Sequence, residues 1–432
     1  MRRLAVALGA AAAALLAAAP ASAATSSPND PYFAAGQQWA LSGAPASIDA
    51  PPAWCAATGS GVTVAVVDTG ADFSHPDLGA KLVAGASFLS GGGDPARPDA
   101  TGQQAVQDDN GHGTMVSGLI GALTNNGAGI AAVAPDAKLL VVKVLAKDGS
   151  GKSNDVGAGV RWAVDNGARV INLSLGSEIP VTGGIDGSIP AAIDYAAAHG
   201  VAVAIAAGNS SLPFTDLETQ RIESEALVVG ALRRDGGLAY YSSSGRGVNI
   251  YAPGGDSTQG GDAHALIVST ALGGGYAAGQ GTSFATPQVA GALALLLAAG
   301  LPADQARQRL LDTAASRAGL PELEVAHALG AGGSCTGSTG GTHNAAPPFK
   351  PAGGFGASQQ LPVTHPSSNA GGVLESRAPQ SPAPAASPAS HPLASTLPPE
   401  LQQTGLLPLW LLLAGLAIGG GVLFGRLKYF RQ

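Results

Sequence analysis

The chain is short of charged residues, aromatic residues and cysteine. Of its 432 residues, 12% are charged and 5% aromatic, two are cysteine, and the net charge is −7. No dense basic run occurs, so a nucleic acid is not expected as a partner. Two cysteines, Cys55 and Cys335, allow at most one disulfide bridge. The length is ample for at least one large apolar core, and no internal repeat divides it.

The N-terminus has the pattern of a secretory signal peptide. Arg2 and Arg3 are followed by the apolar stretch 4–19 and by the small-residue sequence Ala21-Ser22-Ala23. This order predicts removal of residues 1–23 on export. A retained membrane anchor is the alternative, but the stretch is short, rich in alanine and ends in a cleavage pattern.

The C-terminus predicts a membrane anchor. The 19 residues of 406–424 carry no charge, and as a helix they would span about 28 Å, close to a bilayer core. We therefore expect a transmembrane helix over residues 405–425. Arg426, Lys428 and Arg431 follow it and favour a cytoplasmic tail over residues 426–432.

Two alternatives exist for this apolar stretch. A buried core helix would need cover, but the preceding residues 333–404 are dominated by Pro, Gly and Ser and are predicted to form a disordered stalk. A cell-wall sorting signal would need a Leu-Pro-x-Thr-Gly pentapeptide, and here Leu397-Pro398 and Thr404-Gly405 stand too far apart. The expected location is thus the cell membrane, with a single span and the domain of residues 24–332 outside the cell.

Both cysteines fall in the exported part, where disulfides persist. A Cys55–Cys335 bridge would join the start of the folded domain to its C-terminal edge. Two unpaired thiols are the alternative, because sequence alone does not show that the two sulfur atoms meet.

The folded domain alternates strand-like and helix-like segments. Continuous apolar runs, expected of parallel strands buried on both faces, lie at 62–67, 139–145, 170–175, 201–206 and 226–231. Helices are predicted over 113–123, 155–166, 191–199, 282–298 and 302–313. This alternation predicts an α/β fold with a doubly wound, mostly parallel sheet covered by helices on both faces. Sites in such sheets form beyond the carboxyl ends of the strands.

Three glycine-punctuated segments each carry one reactive residue. They are Val64-Ala65-Val66-Val67-Asp68-Thr69-Gly70, His112-Gly113-Thr114 and Gly281-Thr282-Ser283-Phe284-Ala285. Asp68, His112 and Ser283 are the three groups that acyl transfer by a serine nucleophile needs. Each residue could singly be a turn residue or a helix cap. Their joint occurrence and order favour catalysis.

These segments resemble those of the subtilisin-like serine proteases (peptidase S8), and the resemblance runs from Asn29 to Gly330. It implies a serine endopeptidase with Ser283 as nucleophile, His112 as general base and Asp68 as the carboxylate that orients the ring. The run Ala206-Ala207-Gly208-Asn209 resembles the family segment whose Asn donates to the oxyanion, which implies that role for Asn209. A plain turn Asn is the alternative. Segments that resemble the family's substrate-binding edges contain Ser150, Gly151, Ser174, Leu175 and Gly176. The small residues Ala206, Ala207, Gly208 and Gly176 predict a roomy primary pocket, and glycines that serve only sheet-edge turns are the alternative.

The start Asn29-Asp30-Pro31-Tyr32-Phe33 resembles that of thermitase-like members and implies a structural calcium site. The implied ligands are side-chain oxygens of Asp30, Asp77 and Asn126 and carbonyl oxygens of Leu123, Ala128 and Ile130. Such an all-oxygen shell suits Ca²⁺. A polar loop without metal is the alternative. No redox or nucleotide cofactor is expected.

The predicted layout of anchor and stalk resembles the mycosins, membrane-bound members of type VII secretion systems. Two hypotheses follow. In the first, the protein is a surface-tethered endopeptidase acting on peptides or proteins. In the second, it is a protease or structural component that has partners in a secretion complex.

Overall fold

A computed structural model describes residues 27–175, 187–212, 222 and 224–331, together with the backbone of 359–361. The predicted signal peptide and transmembrane helix lie outside these residues, and so do Gly176 and Cys335. Of the predicted stalk, only the strand 359–361 is described. Within the described part, no single helix is long and apolar enough to cross a bilayer. One pair of helices, Thr282–Ala298 and Ala303–Asp312, passes that test together but is bent by 120°.

Helices and strands alternate through the folded domain, as expected. The described α-helices are α1 (Pro31–Ala34), α2 (Ala50–Ala53), α3 (His112–Gly121), α4 (Ser153–Asp165), α5 (Ser188–Ala198), α6 (Thr282–Ala298), α7 (Ala303–Asp312) and α8 (Val325–Ala328). The described strands are β1 (Thr63–Asp68), β2 (Leu82–Ser87), β3 (Ala100–Thr101), β4 (Lys138–Lys143), β5 (Val170–Leu173), β6 (Ala202–Ala206), β7 (Leu227–Leu232), β8 (Ile250–Pro253), β9 (Ile267–Ala271), β10 (Gly275–Gly279), β11 (Ala315–Arg317), β12 (Leu320–Glu322) and β13 (Gln359–Leu361). Short 3₁₀ turns lie at Gly79–Lys81, Gln103–Val106, Ser257–Gln259 and Leu272–Gly274.

The main sheet has the order β11-β12-β8-β7-β6-β5-β1-β4-β2-β3. Its central strands are all parallel, and β1 lies between β5 and β4, with Asp68 opposite Lys143. Only the outer pairs β2–β3 and β11–β12 are antiparallel. A second sheet has the order β13-β10-β9 and is antiparallel. The predicted α/β fold with a mostly parallel sheet is therefore confirmed.

The two faces of the main sheet are covered by different helices. In β1, Ala65 and Val67 belong to a core cluster with apolar side chains of α4 and α5. Val64 and Val66 belong to a second cluster with side chains of α6 and α7. Since successive side chains of a strand point to opposite faces, β1 is buried on both sides. This burial explains why its sequence is a continuous apolar run.

The helices and strands predicted for the folded domain are all present, with strand bounds that differ by at most two residues and helix bounds by at most three. The prediction did not include β2, β8, or the β9–β10 hairpin. Strand β10 reads Gly-Tyr-Ala-Ala-Gly, and such small residues do not form a strand-like apolar run. Pro287 is the sixth residue of α6 and lies beyond its first turn. Its missing N–H therefore deprives the Ser283 carbonyl of the usual donor.

Strand β12 buries a carboxylate. Glu322 is 2% exposed, and its Oε1 has no hydrogen-bond partner among the described residues. Burial raises the pKa of Glu322 to about 7, although Arg317, with Nη1 3.5 Å from Oε2, opposes the shift. A carboxyl group whose pKa is higher in the folded state destabilises that state once it ionises. The protonated Glu322 carboxyl thus favours the folded state relative to the ionised one. This stabilisation is complete below the ordinary pKa of 4.5 and is lost as the pH rises through about 7.

Glu322→Gln should therefore flatten the pH dependence of stability. We expect the free energy of unfolding to rise by roughly 2 kcal/mol near pH 8 and to change little near pH 4. Urea unfolding at both pH values, in a Ser283→Ala background to prevent autolysis, measures the effect. The control is Glu225→Gln, which changes an exposed carboxylate. Equal destabilisation by Glu322→Gln at both pH values would contradict the prediction.

Candidate active site

Asp68 and His112 meet at the carboxyl end of β1. Asp68 is the last residue of the strand and is fully buried, and its Oδ1 lies 2.8 Å from Nδ1 of His112. The same oxygen accepts a hydrogen bond from the backbone N–H of Thr69 at 2.7 Å. His112 is the first residue of α3. A strand end and a helix start thus hold the carboxylate and the imidazole in contact.

Glycine allows this close approach. A Cβ atom on Gly113 would lie 2.1 Å from the carbonyl oxygen of Gly70 and 3.2 Å from Oδ1 of Asp68. Any larger residue at this position would push α3 away from β1. The glycine next to His112 therefore has a steric function as well as a place in the motif.

The surroundings of His112 favour its protonated form. Burial alone would lower the pKa of the ring, but the charge of Asp68 and its hydrogen bond, together with the charge of Asp108, raise the pKa above 6.5. An imidazole held in this way can accept a proton in neutral solution, and the imidazolium formed is stabilised by the carboxylate.

Ser283 lies in the first turn of α6 and is 5% exposed. Its neighbour Phe284 packs edge-on against His112, with ring centroids 6.3 Å apart. The first turn of α6 thus lies against the imidazole through Phe284, and no hydrogen bond joins Ser283 to His112 in the described structure.

Asn209 is oriented from the same turn of α6. Its Oδ1 accepts hydrogen bonds from the backbone N–H of Thr282 at 2.9 Å and from Oγ1 of Thr282 at 3.0 Å. Thr282 Oγ1 also accepts from the backbone N–H of Gly208 at 3.2 Å. Because the carbonyl end of the amide is occupied, its NH₂ end is left for a further acceptor.

The predicted substrate-binding residues follow the strands next to β1. Ser174 and Leu175 follow β5, and Ser150 and Gly151 lie in the loop after β4. Ala206, Ala207 and Gly208 end β6 and continue to Asn209. Ser174 is buried and its Oγ accepts from Nδ2 of Asn172 at 2.9 Å, whereas Ser150 is exposed and bonded to Asp148. All of these segments leave one edge of a parallel sheet, on either side of Asp68.

The predicted calcium ligands also come together. Asp77 Oδ1 accepts from Nδ2 of Asn126 at 2.7 Å, and Asp30 accepts from the backbone N–H groups of Asn125 and Asn126 at 2.9 and 3.3 Å. Burial raises the pKa of Asp30 to about 6. It raises that of Asp77 to about 7, with a further increase from the charge of Asp30. No Lys or Arg pairs with either carboxylate in the described part of the chain.

The carbonyl oxygens of this loop suit a cation. None of the hydrogen bonds between described residues uses the carbonyl oxygens of Leu123, Ala128 or Ile130, whereas that of Gly129 accepts from Tyr32. Asn126 differs from the expectation, because its Oδ1 accepts from the backbone N–H of Ala128 and its Nδ2 is directed at Asp77. The site contains two acidic side chains, and no group of three or more His, Cys, Asp or Glu side chains suited to a metal occurs among the described residues.

Sequence reasoning missed several residues around the site. Asp108 and Thr69 contact the first turn of α3, Thr282 fixes the Asn209 amide, and the hydroxyl of Tyr276 lies 3.3 Å from Oδ2 of Asp77. The polar run Asp108-Asp109-Asn110-Gly111 immediately before His112 is the sequence signal that could have indicated Asp108. The Cys55–Cys335 bridge stays a prediction, because Cys335 lies outside the described residues.

Comparisons with known proteins agree with this geometry. The Subtilase family model matches residues 59–332. Thermitase from Thermoactinomyces vulgaris is 38% identical over 288 residues, which cover 67% of this chain and 91% of thermitase. Subtilisin BL from Lederbergia lenta is 41% identical over 239 residues, 55% of this chain and 77% of that protein. The solved structure of a protease from Pseudoalteromonas arctica is 32% identical, with a TM-score of 0.62, and the match covers 71% of this chain and 99% of that structure.

The mostly parallel α/β fold and these matches together define a hydrolase of the serine-protease class. The chain belongs to the Subtilase family. It is a serine endopeptidase, and peptides or proteins are its substrates.

Proposed function

We propose that the peptide bond is cleaved through an acyl-enzyme formed on Ser283. His112 takes the hydroxyl proton as Ser283 attacks the carbonyl carbon, and later gives that proton to the leaving amine. Asp68 holds the ring with Nδ1 toward itself, so Nε2 is the atom that exchanges the proton. The observation that carries this proposal is the 2.8 Å contact between the buried Asp68 and His112.

The tetrahedral intermediate carries a negative charge on the former carbonyl oxygen. Asn209 is proposed to donate its NH₂ group to this oxygen, because Thr282 already occupies the other end of its amide. The backbone N–H of Ser283 would supply the second donor, and the start of α6 adds a favourable dipole. A water molecule, activated by His112, then hydrolyses the acyl-enzyme.

Ser283→Ala should leave the fold intact and remove nearly all peptide hydrolysis. Binding and the oxyanion donors alone can supply roughly 10³–10⁴-fold over water. The measurement is turnover of a fluorogenic peptide by the full-length chain, together with labelling of Ser283 by a fluorophosphonate, which the variant should lack. Near-normal turnover would refute the assignment of the nucleophile.

Asn209→Ala provides a second arm of this test. Since the proposed contact forms in the transition state, kcat should fall by roughly 10²–10³ with little change in KM, the range known for this type of donor in subtilisin. The fluorophosphonate should still label this variant, because Ser283 remains, but at a lower rate. A change confined to KM would point to substrate binding instead.

Activity should fall on acidification, with a midpoint above the ordinary histidine value of 6.5. The sign follows from the mechanism, since only the neutral ring can accept the serine proton, and Asp68 and Asp108 favour the charged ring. The pH profile of kcat/KM for an uncharged substrate measures this midpoint, and Asp68→Asn should lower it along with kcat. A profile that stays flat down to about pH 4 would count against a histidine base.

We also infer that a structural Ca²⁺ is bound by Asp30, Asp77, Asn126 and the carbonyl groups of Leu123, Ala128 and Ile130. The support is two buried carboxylates without a cationic partner in the described structure, next to three carbonyl oxygens that accept no hydrogen bond there. For Asn126 to be a ligand through Oδ1, its amide has to rotate. The ion would neutralise the carboxylates and would take no part in peptide hydrolysis.

The melting temperature should therefore rise with free calcium. Binding to the folded state alone adds RT ln(1 + [L]/Kd), about 2.7 kcal/mol at a hundredfold excess over Kd. Asp77→Asn should weaken this response, and Asp94→Asn, which changes an exposed carboxylate, should not. An unchanged melting curve in excess chelator would show that the site does not bind the ion.

The membrane anchor and outward orientation remain proposals from the sequence. Because the stretch 406–424 is uncharged and is followed by Arg426, Lys428 and Arg431, we propose that it stops transfer and holds the tail in the cytoplasm. No observation in the described structure favours the secretion-complex alternative over a tethered protease.

Protease added to spheroplasts should then cut between residues 333 and 404 and release an active fragment. A tag placed after Gln432 should stay protected, because the membrane shields it. Immunoblots of the spheroplasts and of the surrounding medium measure the fragment and the tag. The control is a lysed sample, in which the tag should be digested. Full-length protein in the medium, or a tag digested from outside, would show that this topology is wrong.

A further inference from the structure

The helix that carries His112 has an unusual start. Its N-cap residue is Gly111, with φ 110°, which has no side chain to accept a hydrogen bond from the first turn. The first N–H groups of a helix need such acceptors. Here the acceptors are side chains outside the helix: Asn110 for the N–H of His112, Thr69 for that of Gly113, and the buried Asp108 for that of Thr114.

Both oxygens of Asp108 accept several hydrogen bonds. Oδ1 accepts from the backbone N–H groups of Asn110 and Gly111 at 3.0 and 2.9 Å. Oδ2 accepts from the backbone N–H and the hydroxyl of Thr114 at 2.9 and 2.6 Å. Asp108 is 5% exposed, and no Lys or Arg pairs with it in the described part of the chain. Its charge is therefore held by N–H and O–H donors around His112 and not by a counter-ion.

Thr69 ties this carboxylate to the strand that carries Asp68. Its Oγ1 donates to Oδ1 of Asp108 at 2.9 Å and accepts from the backbone N–H of Gly113 at 2.9 Å. One hydroxyl thus connects the residue after Asp68 to the residue after His112. The 2.8 Å contact between Asp68 and His112 is enclosed by this second set of bonds.

We propose that Asp108 is a positioning residue for the histidine: its buried carboxylate fixes the first turn of α3 against the end of β1, which keeps Nδ1 of His112 on Asp68 while Nε2 exchanges the proton. This inference rests on the proposed Asp68–His112–Ser283 mechanism. Asp108 itself touches neither the substrate nor the reacting atoms.

The charges around His112 allow a specific test. The charged side chains from the elements packed near it are Asp68 on β1, Asp72 on the following turn, Asp108 and Asp109 before α3, and Lys143 at the end of β4. Lys143 donates to Asp109 at 2.8 Å, and the carboxylate of Asp72 accepts from Ser74 and Gly273. From α6, Ser283 and Phe284 are uncharged. Asp68 and, after it, Asp108 are the charges that raise the pKa of the ring.

Asp108→Asn removes the charge and places an NH₂ group against donors. We expect kcat to fall by at least tenfold, since a displacement of about 1 Å can cost roughly 10²-fold, with KM changed by less than about twofold. The acid limb of the kcat/KM profile should move to lower pH. The matched control is Asp72→Asn, another carboxylate that is 3% exposed, which should keep both kcat and the acid limb of the wild type.

Thr69 variants decide the question if Asp108→Asn does not fold, as judged by circular dichroism. Thr69→Val removes the bridging hydroxyl and should lower kcat. Thr69→Ser keeps the hydroxyl and should have the kcat of the wild type. A folded Asp108→Asn protein with wild-type kcat and acid limb would overturn the proposal. So would Thr69→Val with wild-type kcat.

The same experiment keeps the two proposals apart. Wild-type full-length chain is labelled with a fluorophosphonate alongside Ser283→Ala. If the wild type is not labelled, the proposed mechanism itself fails. If the wild type is labelled and turns over substrate while Asp108→Asn behaves like it, only the positioning function of Asp108 fails.

Discussion

The site depends on the parallel alignment of four neighbouring strands, β4, β1, β5 and β6. Parallel strands end at the same edge of a sheet, so Asp68, the loop to Gly151, the segment Ser174–Leu175 and the turn to Asn209 all leave from one side. The helix α6 packs on one face of this sheet and brings Ser283 to the same edge. Phe284 of α6 therefore contacts His112 of α3, although the two residues lie 172 positions apart in the sequence.

A second constraint is the satisfaction of the buried polar groups at that edge. The first turn of α3 cannot be capped by Gly111, and Asp108, Asn110 and Thr69 accept its N–H groups instead. The amide of Asn209 is fixed by Thr282 in the same manner. These bonds lie in a buried environment, where an unpaired polar group is costly, so they define single positions for the groups that react.

The fold and the contact between Asp68 and His112 could be predicted from the sequence because their signals are local. Continuous apolar runs indicate buried parallel strands, and Asp68, His112 and Ser283 stand in short motifs. The residues that orient them could not be predicted as readily. Asp108, Thr69 and Thr282 act through hydrogen bonds to backbone groups that are distant in sequence, and polar residues of these types are common in turns. The orientation of the Asn126 amide likewise depends on packing that no local pattern records.

The burial of β1 on both faces has a consequence for how the chain finds its register. In a half-exposed strand, a slip by one residue would turn the apolar side chains to water, and this cost selects the pairing. In β1, Val64, Ala65, Val66 and Val67 are all apolar, so a slip would only exchange one core for the other. The first polar side chain after this run is Asp68, which would be buried without a partner if the strand advanced. The carboxylate beside His112 therefore also fixes the register of the central strand β1.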